Sequence, residues 1–276
     1  VPDQDCYGLD DLLRIMERLR DPETGCPWDL KQDFQSIVPS TIEECYELAD
    51  AIEQGDFDHV AEELGDVLFQ VVFYGQLGRE AGLFDFPGIV HTLADKLVRR
   101  HPHVFAAGAI EGVMRGDLDE QQVKAQWEAI KADERRARDQ GHVLADVPRA
   151  LPALPRAQKL QKRAARVGFD WENPAGVFAK LDEELAELRA AVTAGEGAAI
   201  SEEVGDLLFT CVNLARQLKV DSETALRGAN AKFEARIRAM EEAVQAEGGR
   251  LENLDAQALE QRWAAAKATL ASTKGG

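Results

Sequence analysis

One acidic pattern occurs twice in this chain of 276 residues, with the same internal spacing. Glu43, Glu44 and Glu47 precede Glu63 and Asp66, and Glu183, Glu184 and Glu187 precede Glu203 and Asp206; Glu44 to Glu63 is 19 residues, as is Glu184 to Glu203. A basic and aromatic series follows each copy. It reads Lys96, Arg100, Trp127 and Lys131 in the first and Lys232, Arg236, Trp263 and Lys267 in the second, with identical steps. A chain of this kind is constrained to fold as a tandem repeat of one site-bearing unit.

The apolar residues then set the fold class. Leu9, Leu12, Leu13, Met16 and Leu19 recur at three- and four-residue steps until Pro22 and Gly25 stop them. A second helix is expected from about Ser40 and Thr41 to Gly55, with Thr41 and Glu44 at capping-box spacing. The third carries Val60, Leu64, Val67, Leu68, Val71 and Val72, enough apolar surface to make it a central bundle helix. Asp85 and Pro87 open a fourth that runs to about Arg100, and a glycine-spotted loop from Ala106 to Gly116 leads to a fifth over about 119–138. The order repeats in the second half, and no sustained strand signal interrupts it. The class is all-α, in tandem helical bundles. Pro148, Pro152 and Pro155 cluster between the halves, so the domains are expected at 1–139 and 156–276 with a proline-rich linker at 140–155.

The formal net charge of -18, from 50 acidic and 32 basic residues, excludes the broad cationic surface that polymeric nucleic acid requires. No apolar run approaches the roughly 18 residues of a membrane span, and the first residues lack a basic segment followed by an apolar one. The expectation is a soluble cytoplasmic protein. Cys6, Cys26, Cys45 and Cys211 form no C-x-x-C pair, and Cys45 and Cys211 fall inside helical patterns where small buried thiols are expected. The basic run Arg156, Lys159, Lys162, Arg163 and Arg166 reads as a solvated or dimer-facing stripe.

On a helix, residues three or four apart share a face, so Glu44 aligns with Glu47 and Glu63 with Asp66. Antiparallel helices joined by a short turn bring these four carboxylates into one space, and Glu184, Glu187, Glu203 and Asp206 repeat the arrangement. Four like charges need a counter-ion, and all-oxygen ligation selects magnesium, or manganese, over zinc or copper. Solvated helical faces carry such acids without function, but two matched pairs in two copies, with apolar Leu64, Val67 and Leu68 or Val204, Leu207, Leu208 and Phe209 beside them, favour a site. Di-iron chemistry is disfavoured because no histidine follows a glutamate by three residues. Lys96 with Arg100, and Lys232 with Arg236, line one helix face and suit phosphate oxygens, while Trp127 and Trp263 are either core residues or stacking platforms for a base.

Glu43-Glu44-Cys45-Tyr46-Glu47 with Glu63-Leu64-Gly65-Asp66, and Glu183-Glu184-Leu185-Ala186-Glu187 with Glu203-Val204-Gly205-Asp206, resemble the MazG family of nucleoside triphosphate pyrophosphohydrolases. Gly25-Cys26-Pro27-Trp28-Asp29, Arg99-Arg100-His101-Pro102-His103-Val104-Phe105 and Val167-Gly168-Phe169-Asp170-Trp171 also resemble its full-length two-domain members. The resemblance implies tandem all-α domains arranged across a homodimer, and magnesium-dependent hydrolysis of nucleoside triphosphates between the α- and β-phosphates, broad in base. It assigns the metal to Glu184, Glu187, Glu203 and Asp206, the phosphates to Lys232 and Arg236, and the border of the nucleotide to Trp263 and Lys267. Some relatives carry a lysine four residues before the second acidic ligand, where this chain has Ala199. Phosphate grip is therefore expected to draw on Lys180 as well as Lys232. Glu183 or Glu203 is the expected general base. The resemblance places principal turnover in the second copy; Glu44, Glu47, Glu63, Asp66, Lys96, Arg100, Trp127 and Lys131 of the first are then structural or regulatory. The competing functions are a narrow dUTP or modified-nucleotide pyrophosphatase and a metal-bound scaffold that senses nucleotides without turnover.

Overall fold

The computed structural model describes residues 6–105, 108–111, 119–137, 142–145 and 147–273. Two compact units divide the chain, Val1–Glu134 and Arg135–Gly276. Ten α-helices and no strand are found among the described residues, in the order α1 (Leu9–Leu19), α2 (Val38–Gln54), α3 (Phe57–Glu80), α4 (Phe86–Arg100), α5 (Glu120–Ala137), α6 (Ala153–Ala165), α7 (Pro174–Ala194), α8 (Gly197–Gln217), α9 (Ser222–Ala246) and α10 (Ala256–Thr273). The all-α class expected from periodicity is the class observed. Most of the 106–116 loop lies outside the described residues.

Each unit is organised around one helical hairpin, α2 with α3 and α7 with α8. Both hairpins turn at a glycine in the left-handed region, Gly55 at φ 73° and Gly195 at φ 72°. A side chain there would be strained, so the glycine ends the first helix and sends the chain back along it. Asp56 then caps α3 by accepting from the His59 backbone N–H at 3.2 Å. The other end of α2 differs from the sequence expectation. The helix begins at Val38 with Pro39 in its first turn, and Thr41 sits inside it, its hydroxyl donating to the Ile37 carbonyl at 3.1 Å and meeting the Tyr74 hydroxyl at 3.0 Å. Proline needs no partner for its missing N–H in a first turn, so it starts the helix where a capping box was expected.

In the first unit the core is Met16 of α1, Ile37, and Val72, Phe73 and Leu77 of α3. Arg20 fastens it. Its buried guanidinium donates to Glu80 through Nε at 2.9 Å and to the carbonyls of Asp29 and Gln32, so the end of α1, the 3₁₀ turn Asp29–Lys31 and the end of α3 share one donor. At Gly78 an added Cβ would lie 2.5 Å from the Phe84 ring; only glycine lets the chain fold back onto α3 there and start α4. In the second unit α6 packs on α8 and α9, and buried Gln161 donates through Nε2 to the Phe209 carbonyl at 2.8 Å.

The apolar core draws on the C-terminal half of α3. Leu64, Leu68 and Val71 remain exposed, as do Val204 and Leu208 of α8. Cys45 and Cys211, expected inside, are exposed as well. Helical period fixes which residues share a stripe and leaves open whether another helix of the same unit covers it.

Candidate functional site

The hairpins position the acids. In the first unit Glu44 of α2 and Glu63 and Asp66 of α3 each place a carboxylate oxygen within 4.8 Å of the others. In the second, the closest trio is Glu184 and Glu187 of α7 with Glu203 of α8, again within 4.8 Å. The fourth expected ligand of each copy, Glu47 or Asp206, is exposed and outside its trio, yet near enough to be felt electrostatically. Burial, then the charges of Asp66, Glu47, Glu63 and Glu43, pushes the Glu44 carboxyl above the usual carboxylate range. Burial, then Glu187, Glu184, Asp206 and Glu202, does the same to Glu203.

The two copies are not identical in what they bury. Glu63 is 7% exposed in the first and Glu184 is 4% exposed in the second, so the deepest carboxylate comes from opposite helices of the hairpin. Glu63 keeps a buried Oε2 with no hydrogen-bond partner. A buried, unpartnered carboxylate oxygen facing two other carboxylates is costly unless a cation completes it. The donor set is oxygen only, which fits a hard divalent ion such as magnesium or manganese.

Each copy already sets one basic side chain against its buried acid. His59 Nε2 lies 2.7 Å from Glu63 Oε1 in the first unit. Lys180 Nζ lies 2.8 Å from Glu184 Oε1 and 2.7 Å from Glu183 Oε1 in the second. The hydrogen bond to Glu183, then that to Glu184, holds the Lys180 ammonium above its ordinary proton affinity. Lys180, expected to grip phosphate, is thus engaged with acids. Its counterpart in the first unit is Ser40, and the counterpart of His59 is Ala199.

The basic and aromatic series also diverges between copies. On α9 and α10, the Arg236 guanidinium lies 5.1 Å from the centre of the Trp263 ring, which also meets Phe233 at 5.5 Å. Lys232, Arg236 and Lys267 make no ion pair among the described residues. On α4 and α5, Arg100 is held by Glu134, Nε to Oε1 at 3.2 Å, and Arg99 joins the same carboxylate. Lys131 lies 4.2 Å from the centre of the Trp127 ring and 3.7 Å from Glu128. Glu134 and Glu128 correspond to Leu270 and Ala264 in the second unit. Both acids went unread in the sequence, although Trp127, Lys131 and Glu134 follow one another at helical steps of four and three. Trp127 and Trp263 are half-buried, each with a cation over its ring. Lys96 makes no ion pair among the described residues.

A family profile described as the MazG nucleotide pyrophosphohydrolase domain matches residues 32–105 and again residues 172–240. The nucleoside triphosphate pyrophosphohydrolase of Escherichia coli K12 is 50% identical over 259 residues, covering 92% of this chain and 95% of that protein. A Thermotoga maritima protein named nucleoside triphosphate pyrophosphohydrolase/pyrophosphatase MazG is 46% identical over 259 residues, 94% of this chain and 95% of its own length. The Bacillus subtilis protein YabN is 42% identical over 256 residues, 92% of this chain but 50% of that longer protein. The first profile match holds the α2 and α3 acids, Lys96 and Arg100, and the second holds the α7 and α8 acids, Lys232 and Arg236: this chain belongs to the MazG family, with the domain present twice.

Proposed function

We propose that this protein is a magnesium- or manganese-dependent nucleoside triphosphate pyrophosphohydrolase that converts a nucleoside or deoxynucleoside triphosphate and water to the monophosphate and pyrophosphate. The carrying observation is the convergence of three carboxylates on each helical hairpin, with a buried one in each trio. The names of the Escherichia coli and Thermotoga maritima relatives support the reaction. We take the working domains as 1–139 and 156–276, joined by 140–155, and the substrate range as broad in base, a nucleotide-pool cleaning role. Among the described residues no helix is long and apolar enough to cross a membrane. We place the protein in the cytoplasm.

We assign the metal in the second unit to Glu184, Glu187 and Glu203, with Asp206 flanking, and in the first to Glu44, Glu63 and Asp66, with Glu47 flanking. A divalent ion held by these carboxylates would supply charge neutralisation of the triphosphate and activation of water. The chain's own residues do the rest. Lys232 and Arg236 hold phosphate oxygens as charge develops on them, and Trp263 with Lys267 limits where the nucleoside lies. Water attacks the α-phosphorus in line, the bond from that phosphorus to the bridging oxygen breaks, and the electron pair leaves with pyrophosphate. Glu203 accepts the water's proton. Its raised proton affinity and its place in the carboxylate trio suit that role, whereas Glu183 lies outside the trio. Principal turnover belongs to the second unit because its Lys232, Arg236 and Lys267 make no ion pair among the described residues, while Arg100 and Lys131 of the first are already partnered.

We also propose a homodimer. Val38, Cys45 and Ile52 repeat every seven residues on α2 and are exposed; so are Phe178, Leu185 and Val192 at the matching places on α7. Exposed apolar stripes of this length mark association surfaces, and a second copy of the chain is the partner the resemblance implies. Ile52→Glu with Val192→Glu, one on each stripe, should reduce the solution mass to that of one chain.

The decisive assay is pyrophosphate release from a panel of nucleoside triphosphates with magnesium, coupled to inorganic pyrophosphatase. Turnover of several bases supports the reading. Turnover of one base alone favours a narrow dUTP or modified-nucleotide enzyme, and binding without pyrophosphate favours a sensing scaffold.

A further inference from the structure

Lys180 stands where the second acidic site meets its most buried ligand. Its ammonium is 2.8 Å from Oε1 of Glu184 and 2.7 Å from Oε1 of Glu183, and Glu184 is 4% exposed. Lys180 itself is only partly buried and sits on a long flexible stem. Helical spacing makes both contacts natural, since Glu183 and Glu184 follow it by three and four residues on α7. The first unit has nothing similar on α2, which contains no lysine or arginine.

The geometry points to Lys180 as a resident cation that competes with the metal for Glu184 and, once displaced, becomes a ligand for the triphosphate. The inference rests on the metal reading above. A buried carboxylate cannot stand alone, so in the metal-free protein the lysine neutralises it. A divalent ion shared by Glu184, Glu187 and Glu203 brings two positive charges to the same place and repels the ammonium, which swings out on its four-carbon stem. Glu183 stays within its reach but is solvent-exposed, and the polyphosphate that enters with the metal brings a greater negative charge to the same place. One residue thereby couples metal loading to phosphate binding, so nucleotide affinity depends on the metal through the protein as well as through the ion itself.

The consequence is a pair of effects with opposite signs. Lys180→Met removes the competing charge at similar length and suits a helix. In the full chain carrying Glu63→Gln, which removes a ligand of the first site, calorimetric titration with Mn²⁺ should show affinity rising on the order of tenfold over the same background with Lys180 intact, the scale of one lost charge-assisted hydrogen bond. With Mn²⁺ saturating, affinity for a non-hydrolysable α,β-methylene nucleoside triphosphate should fall by a similar factor. In chelator the variant should melt lower than its parent, and Mn²⁺ should close the gap. Lys180→Gln is the second variant, used if the methionine form does not fold, and should behave alike. Unchanged or weaker Mn²⁺ binding overturns the competition, and unchanged analogue binding overturns the transfer to phosphate. A parent with Lys180 intact that takes up no Mn²⁺ overturns the metal reading itself, a separate result.

Discussion

Arg100 is clamped by Glu134 in the first unit, and the residue equivalent to Glu134 in the second is Leu270. The hydrogen bond from Arg100, aided by Arg99, holds the Glu134 carboxyl down from an ordinary 4.5 to about 2. A depressed carboxylate stabilises the fold at pH values above its unfolded value, and that contribution fades as pH falls from about 4.5 towards about 2. Glu134→Gln should therefore cost about 1 kcal/mol at pH 7, a figure reduced for solvent screening of a pair near the surface. The cost should shrink steadily below pH 4.5. Urea denaturation of both proteins at pH 7 and pH 3 measures it, and a pH-independent difference would show that the ion pair is not its source.

That clamp also marks where sequence reading stops. The 19-residue steps, the glycine turns at Gly55 and Gly195 and the helix-face logic were enough to place Glu44 with Glu63 and Glu184 with Glu203, because they follow from local geometry. Which carboxylate would be buried was not legible. Glu63 goes under in one copy and Glu184 in the other, and that depends on packing by helices distant in sequence. The same limit applies to Cys45, Cys211, Leu64 and Leu208, whose apolar stripes are real but have no cover within their own unit. The charge of Lys180 alone suggests a phosphate ligand. Its acids at the third and fourth positions onward were visible in the sequence and define its resting partner.

Metal dependence follows from the like charges at each hairpin. Activity should require magnesium or manganese and disappear in excess chelator, returning when the ion is restored. Because burial and neighbouring acids raise Glu203 and Glu44 above the usual range, protons should begin to compete with the metal at a higher pH than for isolated glutamates. Mn²⁺ affinity should accordingly weaken as pH falls through that raised range. Full turnover with chelator present would rule out the metal mechanism.

Phosphate grip is tested at Lys232, which is exposed on α9 and makes no ion pair among the described residues. Removing it should disturb substrate more than fold. Lys232→Ala is expected to lower the rate by tenfold to a thousandfold, roughly the range for a lost contact that strengthens with developing charge. The melting temperature should stay near the parent value. A parent-like kcat and KM would move the phosphates to other residues.

The two copies can be separated by one matched pair of substitutions. Glu203→Gln and Glu63→Gln each remove a charged ligand at nearly constant volume, one from each trio. If the second unit carries turnover, Glu203→Gln should abolish pyrophosphate release, while Glu63→Gln should retain most of it. The first change also removes the proposed proton acceptor, so its loss should exceed that of Glu187→Gln, which takes away a ligand alone. Glu63→Gln has its own signature. It discharges a buried acid whose Oε1 meets His59 at 2.7 Å and whose Oε2 has no partner, so it should alter stability in chelator more than it alters rate. An active Glu203→Gln beside a dead Glu63→Gln, both folded by circular dichroism, would reverse the assignment, and a half-loss in each would mean that both hairpins turn over substrate.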